Sequence, residues 1–474
     1  MSAAVLAIDQ GSHSTRACLI DARGQQLAAA RLPIATRHPA NDQVEHEPAQ
    51  VAASVHQAVA QCLDAAPRGT TVRAAGLATQ RSSFVCVERE SLRPLSPVIS
   101  WQDRRHARWL ATLVAHEPRV RALTGLPLSP HYGASKMRWC LEQLPSVQAA
   151  ARAGTLCFAP LSSFLTSTLT GGKLVADPAN ASRTLLWDSA RLAWSDELLA
   201  WFGIRRDQLP RCAATSDDFG TVRAGAHAVS LRAVSGDQSA VPFAFGHVDE
   251  QRVFLNLGTG AFLQRPLAKR PADPAPLLGS VLMHAGARTL WSLEGTVNGA
   301  ASAVSWFAER EGCEVAALWS ALPAVPPEAP VPLFVNGIGG LGSPWWHADV
   351  ESTFIGDGTR GERFAAVVES ILFLIADNLD CMRRHGDATR ELLVTGGISR
   401  SDWFCSRLAA LTGCAVRRGP AEATALGIAA LADPELASGW TFAADTPFLP
   451  SRMPALAGRR ERFSAALARA LRPR

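Results

Sequence analysis

The chain begins with two short apolar runs that flank a polar turn, LAIDQGSHSTRACLID at residues 6–21. The first run ends at Asp9 and the second begins with Arg16, which predicts a β-hairpin whose turn carries small polar residues. Apolar residues recur every four positions over about 48–66, and this spacing predicts an amphipathic helix. VRAAGLATQ at 72–80 then indicates a buried strand that ends in polar side chains. Strands that alternate with helices predict an α/β fold.

This pattern restarts in the second half of the chain. Residues 253–266, VFLNLGTGAFLQRP, again predict a strand, a glycine turn and a strand, and they follow a strand and tight turn that contain SGDQSA at 235–240. Because 474 residues exceed one ordinary core, we predict two domains built on one plan, residues 1–246 and 247–474.

Three further segments carry predictions of local structure. Residues 98–117 predict a strand that enters a helix, and residues 364–384 predict a deeply packed helix that is apolar on most faces. Residues 390–413 predict a strand, a Gly-Gly turn and a helix that is capped by Ser399 or Ser401.

The composition is that of a globular protein, with 47% apolar and 19% charged residues and a net charge of +5. Lysine occurs only at positions 136, 173 and 269, so a phosphate site must use arginine, backbone N–H groups or a metal ion. We expect no nucleic-acid partner, because the chain has no basic tract. It also has no signal-like N-terminus and no run of about 20 apolar residues, so we expect no membrane association. The ten dispersed cysteines lack zinc spacing and favour a reduced, cytoplasmic protein.

One glycine motif indicates a dinucleotide site but lacks its context. GIGGLG at 337–342 fits G-x-G-x-x-G, yet SPWWHAD follows it, with Pro344 where a helix should begin. We therefore interpret it as a glycine-rich loop and keep a nicotinamide dehydrogenase as a minor alternative. Other glycine turns fall at strand ends, where backbone N–H groups can point into one concavity that suits phosphate oxygens.

Eleven stretches, in order and over nearly the whole length, resemble the FGGY carbohydrate kinase family and are most similar to its glycerol kinase branch. They are AIDQGSHSTR (7–16), ATQRSS (78–83), ISWQDRR (99–105), KMRWCLEQ (136–143), DPANASRTLLWD (177–188), SGDQSA (235–240), NLGTGAF (256–262), LEGTV (293–297), GGLGSPWW (339–346), TGGISRSDWF (395–404) and EATALGIAALA (422–432).

The resemblance implies a fold and a reaction. The fold is the two-domain actin-like, ribonuclease-H-like α/β ATPase fold, with ATP held between the domains and the acceptor bound deep in the cleft. The N-terminal domain would hold the acceptor and the first phosphate loop, and the C-terminal domain the second phosphate loop and the adenosine. The reaction is transfer of the γ-phosphoryl group of ATP to a hydroxyl of a small polyol or sugar. A homodimer is left open.

The resemblance also assigns residue roles. Asp237 matches the catalytic base, and Asp9 matches the carboxylate that holds Mg²⁺, through water. The residues that match ATP-binding positions are Gly11, Ser12, His13, Ser14 and Arg16 in the first loop, Gly258 and Thr259 in the second, and Gly396, Gly397 and Ser401 at the adenosine. Thr15 lies within the first loop, and Ser401 replaces the more usual Asn. His13 replaces a hydroxyl residue, and its role, as a phosphate donor or as packing, is open.

The acceptor positions depart from the family pattern. The residues at these positions are Arg81, Ser82, Trp101, His131, Asp237, Gln238 and Phe262. Glycerol kinases present Arg-Glu where this chain has Arg81–Ser82, and His131 stands in place of a tyrosine, with Tyr132 next to it. The lost carboxylate puts glycerol as sole substrate in doubt and leaves room for a longer polyol or a ketose. The alternatives are a glycerol kinase proper and a non-catalytic, actin-like nucleotide-binding protein.

Overall fold

The computed structural model describes residues 2–246, 248–326, 328–386, 389–440 and 446–471. Every residue that the sequence assigns to the site lies in these ranges. Residue 247, where the predicted C-terminal domain begins, lies outside the described residues, and so do residues 1, 327, 387–388, 441–445 and 472–474. The boundary between the two domains therefore stays a prediction.

The described strands and helices alternate along the chain. In chain order the strands are β1 Ser2–Gln10, β2 Ser14–Asp21, β3 Gln26–Pro33, β4 Glu45–His46, β5 Thr70–Thr79, β6 Phe84–Glu88, β7 Val98–Ile99, β8 Leu156–Pro160, β9 Val175–Ala176, β10 Trp187–Asp188, β11 Ala193–Trp194, β12 Arg211–Cys212, β13 Thr221–Ala224, β14 His227–Gly236, β15 Arg252–Leu257, β16 Ala261–Leu267, β17 Leu278–Ala285, β18 Arg288–Val297, β19 Leu333–Val335, β20 Thr353–Ile355, β21 Glu391–Thr395 and β22 Ala415–Arg418. The helices are α1 Pro48–Asp64, α2 Ala107–Ala111, α3 Glu117–Thr124, α4 Gly133–Gln143, α5 Pro145–Ala153, α6 Leu161–Thr170, α7 Pro178–Ser182, α8 Asp196–Phe202, α9 Asp237–Ala240, α10 Ala301–Glu311, α11 Val315–Ala321, α12 Arg360–Arg383, α13 Asp402–Thr412, α14 Ala423–Ala432, α15 Pro434–Ala437 and α16 Pro454–Ala470.

Two six-stranded sheets share one plan. The first has the order β13-β14-β5-β1-β2-β3, in which β1 and β2 form an antiparallel hairpin and β5 runs parallel to β1. The second has the order β17-β18-β16-β15-β21-β22, in which β15 and β16 form the hairpin and β21 runs parallel to β15. The predicted restart of the pattern is therefore confirmed. Both hairpins place their glycine turn at the same edge as the ends of the parallel strands.

Each sheet is covered by helices whose apolar faces match it. The helix predicted over 48–66 is present as α1, and its valines pack against β1 and β2. The predicted apolar helix at 364–384 is α12, which is buried along most of its length in the core of the second sheet. A smaller sheet, β4-β7-β6-β8, packs with α4, α5 and α8 in a separate apolar cluster beside the first sheet.

Helix α14 lies between the two large sheets. Its apolar side chains share one cluster with Val5 and Ala78 of the first sheet and with Phe254 and Leu393 of the second. The close approach requires small residues, because a Cβ at Gly427 would lie 1.9 Å from the carbonyl oxygen of Ala240. Helix α14 belongs to the second half of the chain, but it packs against strands of the first sheet as well.

Two local predictions meet different outcomes. The helix predicted in the second part of residues 98–117 is broken. Helix α2 ends at Ala111, a 3₁₀ turn follows, and α3 begins with Pro118 in its first turn. Ser401, rather than Ser399, caps α13: its hydroxyl accepts a hydrogen bond from the Phe404 backbone N–H.

The GIGGLG segment is a loop, and Gly339 and Gly340 in it have positive φ angles. No helix follows it in the described residues 343–359, so the context of a dinucleotide site is absent there. All ten cysteines are free thiols. Within the ranges given above, no helix is both long and apolar enough to span a membrane.

The packing of α14 can be tested at its tightest contact. We expect Gly427→Ala to lower the free energy of unfolding by about 3 kcal/mol, because the added methyl group meets rigid backbone. Gly458→Ala in α16 is the matched control, since a Cβ there meets nothing within 4 Å. It should raise stability by up to about 1 kcal/mol through helix propensity. Urea denaturation of both variants measures this difference, and equal effects would contradict the packing.

Candidate active site

Three neighbouring parallel strands bring the predicted site residues to one edge of the first sheet. Asp9 lies at the end of β1, Arg81 and Ser82 follow β5, and Asp237 follows β14. The register pairs Ala78 of β5 with Asp9 on one side and with Ser235 on the other. The carboxyl ends of parallel strands are where α/β folds build ligand sites.

Asp237 is held at the start of the short helix α9. The backbone N–H of Gln238 donates to its Oδ1 at 2.7 Å. The preceding Gly236 has space for no side chain, since a Cβ there would lie 2.4 Å from Cγ of Arg81. The Arg81 stem therefore passes directly beside the strand end. Burial raises the pKa of Asp237, and the guanidinium of Arg81 opposes this rise.

A buried ion pair crosses from the first sheet to the second. Both Nη atoms of Arg81 donate to the Glu294 carboxylate, at 2.7 and 2.8 Å, and Arg183 donates to the same carboxylate at 3.3 Å. Each of the three side chains is at least nine-tenths buried. Burial alone would raise the pKa of Glu294, but the two guanidinium groups hold it well below its ordinary value. Glu294 is therefore ionised.

The sequence reasoning assigned no role to Glu294 or Arg183. Both lie in stretches that resemble the family, LEGTV and DPANASRTLLWD. A signal was present for Glu294, because a glutamate inside an apolar strand must find a charged partner to be buried. Sequence alone could not show that this partner lies more than 200 residues away, at Arg81.

Aromatic side chains form the other wall of the acceptor region. The ring of Trp101 lies 5.4 Å from the ring of His131, which in turn meets Tyr132 edge-on at 5.0 Å. Burial, with help from Arg183, keeps the pKa of His131 well below its usual range, so the imidazole is neutral. Phe262 is half-buried in β16, and Gln238 is half-buried in α9.

Lys136 stabilises the two loop segments that contain Trp101 and His131. Its ammonium group donates to the backbone carbonyls of Ser100 and His131, at 2.9 and 3.0 Å, and lies 3.5 Å from that of Asp103. Burial lowers the pKa of Lys136 to about 7. Trp139 is half-buried, with the guanidinium of Arg105 4.6 Å from its ring centroid. These contacts give Lys136 and Trp139 structural roles.

Ser82 occupies a conformation that side chains rarely adopt. Its φ is +63° and its hydroxyl is buried with no hydrogen-bond partner among the described residues. Strain of this kind at a strand end beside a cleft is a common feature of ligand sites. A buried hydroxyl without a partner is an exception in a folded protein.

The residues of the first glycine turn differ in exposure and in the partners of their side chains. Gly11 N–H donates to the carbonyl of Ser14 at 3.0 Å, which closes the turn, and His13 is exposed. Thr15 turns away from the loop, because its hydroxyl is buried against Ser54 at 2.7 Å. Arg16 forms an ion pair with Glu422, so its charge is already engaged.

The second glycine turn and the Gly-Gly turn meet at one edge of the second sheet, since Asn256 in β15 pairs with Thr395 in β21. Gly258 N–H donates to the carbonyl of Gly260 at 3.0 Å, and Thr259 is exposed. Gly396 has a φ of +92°, and a Cβ there would lie 2.3 Å from the carbonyl oxygen of Leu257. Only glycine fits at that position. Gly397 next to it is exposed, and Ser401 caps α13.

Asp9 is a carboxylate without a hydrogen-bond donor among the described residues. Burial, then repulsion from Asp237 and Glu422, raises its pKa to about 7. No group of three or more His, Cys, Asp or Glu side chains that could hold a metal ion occurs in the described part of the chain. A cation at Asp9 would therefore need ligands from water or from a bound anion.

These features are typical of a class of protein: a two-domain α/β phosphotransferase with a glycine turn at the corresponding edge of each large sheet. The N-terminal domain of the FGGY family of carbohydrate kinases matches residues 4–255, and the C-terminal domain of that family matches residues 253–433. A glycerol kinase from Methylobacterium nodulans is 38% identical over 456 residues, which cover 91% of this chain and 89% of that protein. One from Thermus brockianus is 33% identical over 474 residues, covering 95% and 94%.

Solved structures share the architecture. A glycerol kinase from Plasmodium falciparum, crystallised with ADP, has a TM-score of 0.92 and 21% identity, covering 100% of this chain and 99% of that one. A xylulose kinase from Brucella ovis has a TM-score of 0.89 and 25% identity, covering 98% and 99%. The chain belongs to the FGGY family of carbohydrate kinases and is an ATP-dependent phosphotransferase for carbohydrate or polyol hydroxyl groups. The predicted resemblance and fold class are confirmed.

The raised pKa of Asp9 predicts how the free energy of unfolding depends on pH. Between its ordinary pKa of about 3.9 and its folded value of about 7, the folded chain binds more protons than the unfolded chain, so stability falls as pH rises. Asp9→Asn removes this ionisation and should raise the free energy of unfolding by about 1 to 3 kcal/mol at pH 8. At pH 4 we expect little change.

Urea denaturation at both pH values, without nucleotide or divalent cation, measures the effect. Asp357→Asn, at an exposed loop position, controls for the exchange of an aspartate for an asparagine. An Asp9→Asn effect that is the same at pH 4 and pH 8 would contradict the assignment.

Proposed function

We propose that the chain transfers the γ-phosphoryl group of ATP to a hydroxyl group of a small polyol or sugar, with Asp237 as the general base. The observation that carries the proposal is the meeting of Asp237, Asp9 and the Arg81–Glu294 pair at the ends of adjacent strands. A base, a candidate cation ligand and a fixed guanidinium group thus lie together at one edge of the first sheet.

Asp237 suits the removal of a proton from an acceptor hydroxyl. As the hydroxyl oxygen forms its bond to phosphorus, the carboxylate can take the proton that this oxygen loses. Burial raises the pKa of Asp237 towards neutrality, which makes it a stronger base. The guanidinium of Arg81 opposes this rise, so the base lies beside a positive charge that favours its ionised form. A protein that only binds nucleotide has no need of this arrangement, which disfavours the non-catalytic alternative.

The two glycine turns and the Gly-Gly turn suit ATP. Backbone N–H groups of Gly11, Ser12, His13 and Ser14 on one side, and of Gly258 and Thr259 on the other, would hold phosphate oxygens. Gly396, Gly397 and Ser401 would lie against the adenosine. Because Arg16 is paired with Glu422, it would act by orienting the first loop as much as by direct attraction.

Mg²⁺ fits the donor set at Asp9, since this ion binds proteins through one or two carboxylates and takes its other ligands from water and phosphate. Asp9 would hold it, and the repulsion from Asp237 that raises the pKa of Asp9 would be relieved by a cation. When bound, the ion would neutralise charge on the phosphates.

The acceptor is proposed to be a polyol or ketose longer than glycerol. Ser82 offers a small, unpartnered hydroxyl where glycerol kinases carry a carboxylate, and His131 is neutral. Arg81, Ser82, Trp101, His131, Gln238 and Phe262 would line the pocket. The second candidate is glycerol itself, which is favoured by the relatives that are glycerol kinases at 33% to 38% identity.

A coupled ADP-release assay over glycerol, erythritol, the pentitols and the common ketopentoses and ketohexoses tests both statements. We expect turnover with at least one of these acceptors, and kcat/KM to be higher for a longer acceptor than for glycerol. Ser82→Glu should raise kcat/KM for glycerol about tenfold or more, because a carboxylate accepts charge-strengthened hydrogen bonds from two hydroxyls. The same change should lower it for longer acceptors.

Ser82→Gln is the matched control, because it fills the same space without a charge. It should lower kcat/KM for longer acceptors without the gain for glycerol. Highest kcat/KM for glycerol in the wild type would contradict the longer acceptor and support the second candidate. No turnover with any acceptor would contradict the proposed function.

A further inference from the structure

Gln80 is the centre of a buried hydrogen-bond network at the strand end that precedes Arg81. Its Oε1 accepts from the hydroxyl of Ser83 at 2.9 Å and from that of Ser12 at 3.4 Å. Its Nε2 lies 3.5 Å from Oε1 of Gln10 and from the carbonyl of Gly11. The side chain is almost fully buried. Gln80 therefore contacts the first glycine turn at several points.

The same network reaches the acceptor side through Trp101. The indole N–H of Trp101 donates to the hydroxyl oxygen of Ser12 at 2.9 Å, and its backbone N–H donates to the hydroxyl oxygen of Ser83 at 3.0 Å. Both serine hydroxyls then donate to Gln80. A closed ring of hydrogen bonds thus joins the turn at residue 12, the strand end at residue 80 and the aromatic wall formed by Trp101 and His131.

The hydroxyl of Ser12 has one hydrogen to give. It accepts from Trp101, and its own hydrogen points to Gln80 across a long 3.4 Å contact. A phosphate oxygen near the turn would be a stronger acceptor than this neutral amide, because charged acceptors form shorter and stronger bonds. The donation from Trp101 would also strengthen that new bond, since hydrogen bonds in a chain polarise one another.

We propose that the Trp101–Ser12 hydrogen bond, with Gln80 as the positioning residue, couples acceptor binding to nucleotide binding. An acceptor packed on the Trp101 ring fixes the indole N–H, which holds Ser12 ready to donate to a phosphate oxygen. Gln80 keeps its hydrogen bond from Ser83, which accepts from the Trp101 backbone N–H, while its long contact with Ser12 is exchanged for the phosphate oxygen. This inference rests on the proposed function, because it takes the turn at Ser12 as a phosphate loop and Trp101 as an acceptor contact.

The test is the affinity for a non-hydrolysable ATP analogue with Mg²⁺, measured by calorimetry with and without a saturating concentration of the best acceptor. In the wild type the acceptor should tighten nucleotide binding about fivefold or more. Trp101→Phe keeps a ring but removes the N–H, and Ser12→Ala removes the hydroxyl. Each should reduce the factor to about twofold or less, and the double variant should show no further loss. Because the acceptor is saturating, a weaker acceptor affinity does not alter the factor.

Two further variants separate coupling from general damage. Ser12→Thr restores a hydroxyl and should restore the coupling, which also keeps the test usable if Trp101→Phe does not fold. Trp194→Phe is the matched control, since its indole N–H donates at 2.8 Å to the carbonyl of Pro210 in a different cluster. It should leave the factor unchanged.

Several outcomes would overturn the inference. The first is an affinity of the wild type for the ATP analogue that the acceptor does not change. The second is a single variant in which the acceptor tightens nucleotide binding as much as in the wild type. The third is a double variant in which the losses of the two single variants add. These outcomes leave the proposed function intact as long as the wild type releases ADP with an acceptor. Failure of that release with every acceptor is the separate result that contradicts the function.

Discussion

A bidentate ion pair joins the two sheets where the strand ends face each other. Arg81 follows β5 of the first sheet, Glu294 lies within β18 of the second, and Arg183 adds a third charge to the same carboxylate. Removal of one partner from such a pair costs about 3 to 5 kcal/mol, because the other charge is left buried and unpaired. The ion pair therefore holds the guanidinium of Arg81 in one position, and the residues packed against Arg81 are held with it.

The position of Asp237 follows from this constraint. The Arg81 stem passes against Gly236, so the next residue in the chain must sit beside a fixed positive charge. That charge offsets part of the effect of burial on the Asp237 carboxyl group. Asp9 lies two strands away and forms no such ion pair in the described residues, so burial and repulsion from Asp237 raise its pKa despite the charges of Arg16 and Arg31. Burial of these two carboxyl groups therefore costs stability.

Much of the fold could be predicted from the sequence, because local patterns specify it. The opening hairpin, the valine-spaced helix and the restart near residue 253 follow from periodicity and turn residues, and the structure has all three. The sequence pattern predicts one helix after the strand in 98–117, but α2 ends at Ala111 and α3 begins again with Pro118 in its first turn, since proline has no backbone N–H with which to continue a helix.

The placement of the candidate site residues could be predicted where a motif marks a strand end, and not where residues distant in the sequence meet. Asp9, Asp237 and the glycine turns stand at strand ends that the sequence marks. The contact of Glu294 with Arg81 and Arg183 depends on how the two sheets pack, which no local sequence pattern predicts. Likewise, Thr15 lies in the first glycine loop by sequence, but strand alternation turns its hydroxyl into the core against Ser54.

The most direct test of this account is phosphoryl transfer by Asp237→Ala, measured alongside its affinity for Mg²⁺-ATP. Loss of the general base should lower kcat about a hundredfold or more, while the dissociation constant for nucleotide changes by less than about threefold. The exposed Asp217→Ala variant should leave both unchanged. Near-normal turnover by Asp237→Ala would contradict the assignment of the base, and with it the arrangement built around the Arg81–Glu294 pair.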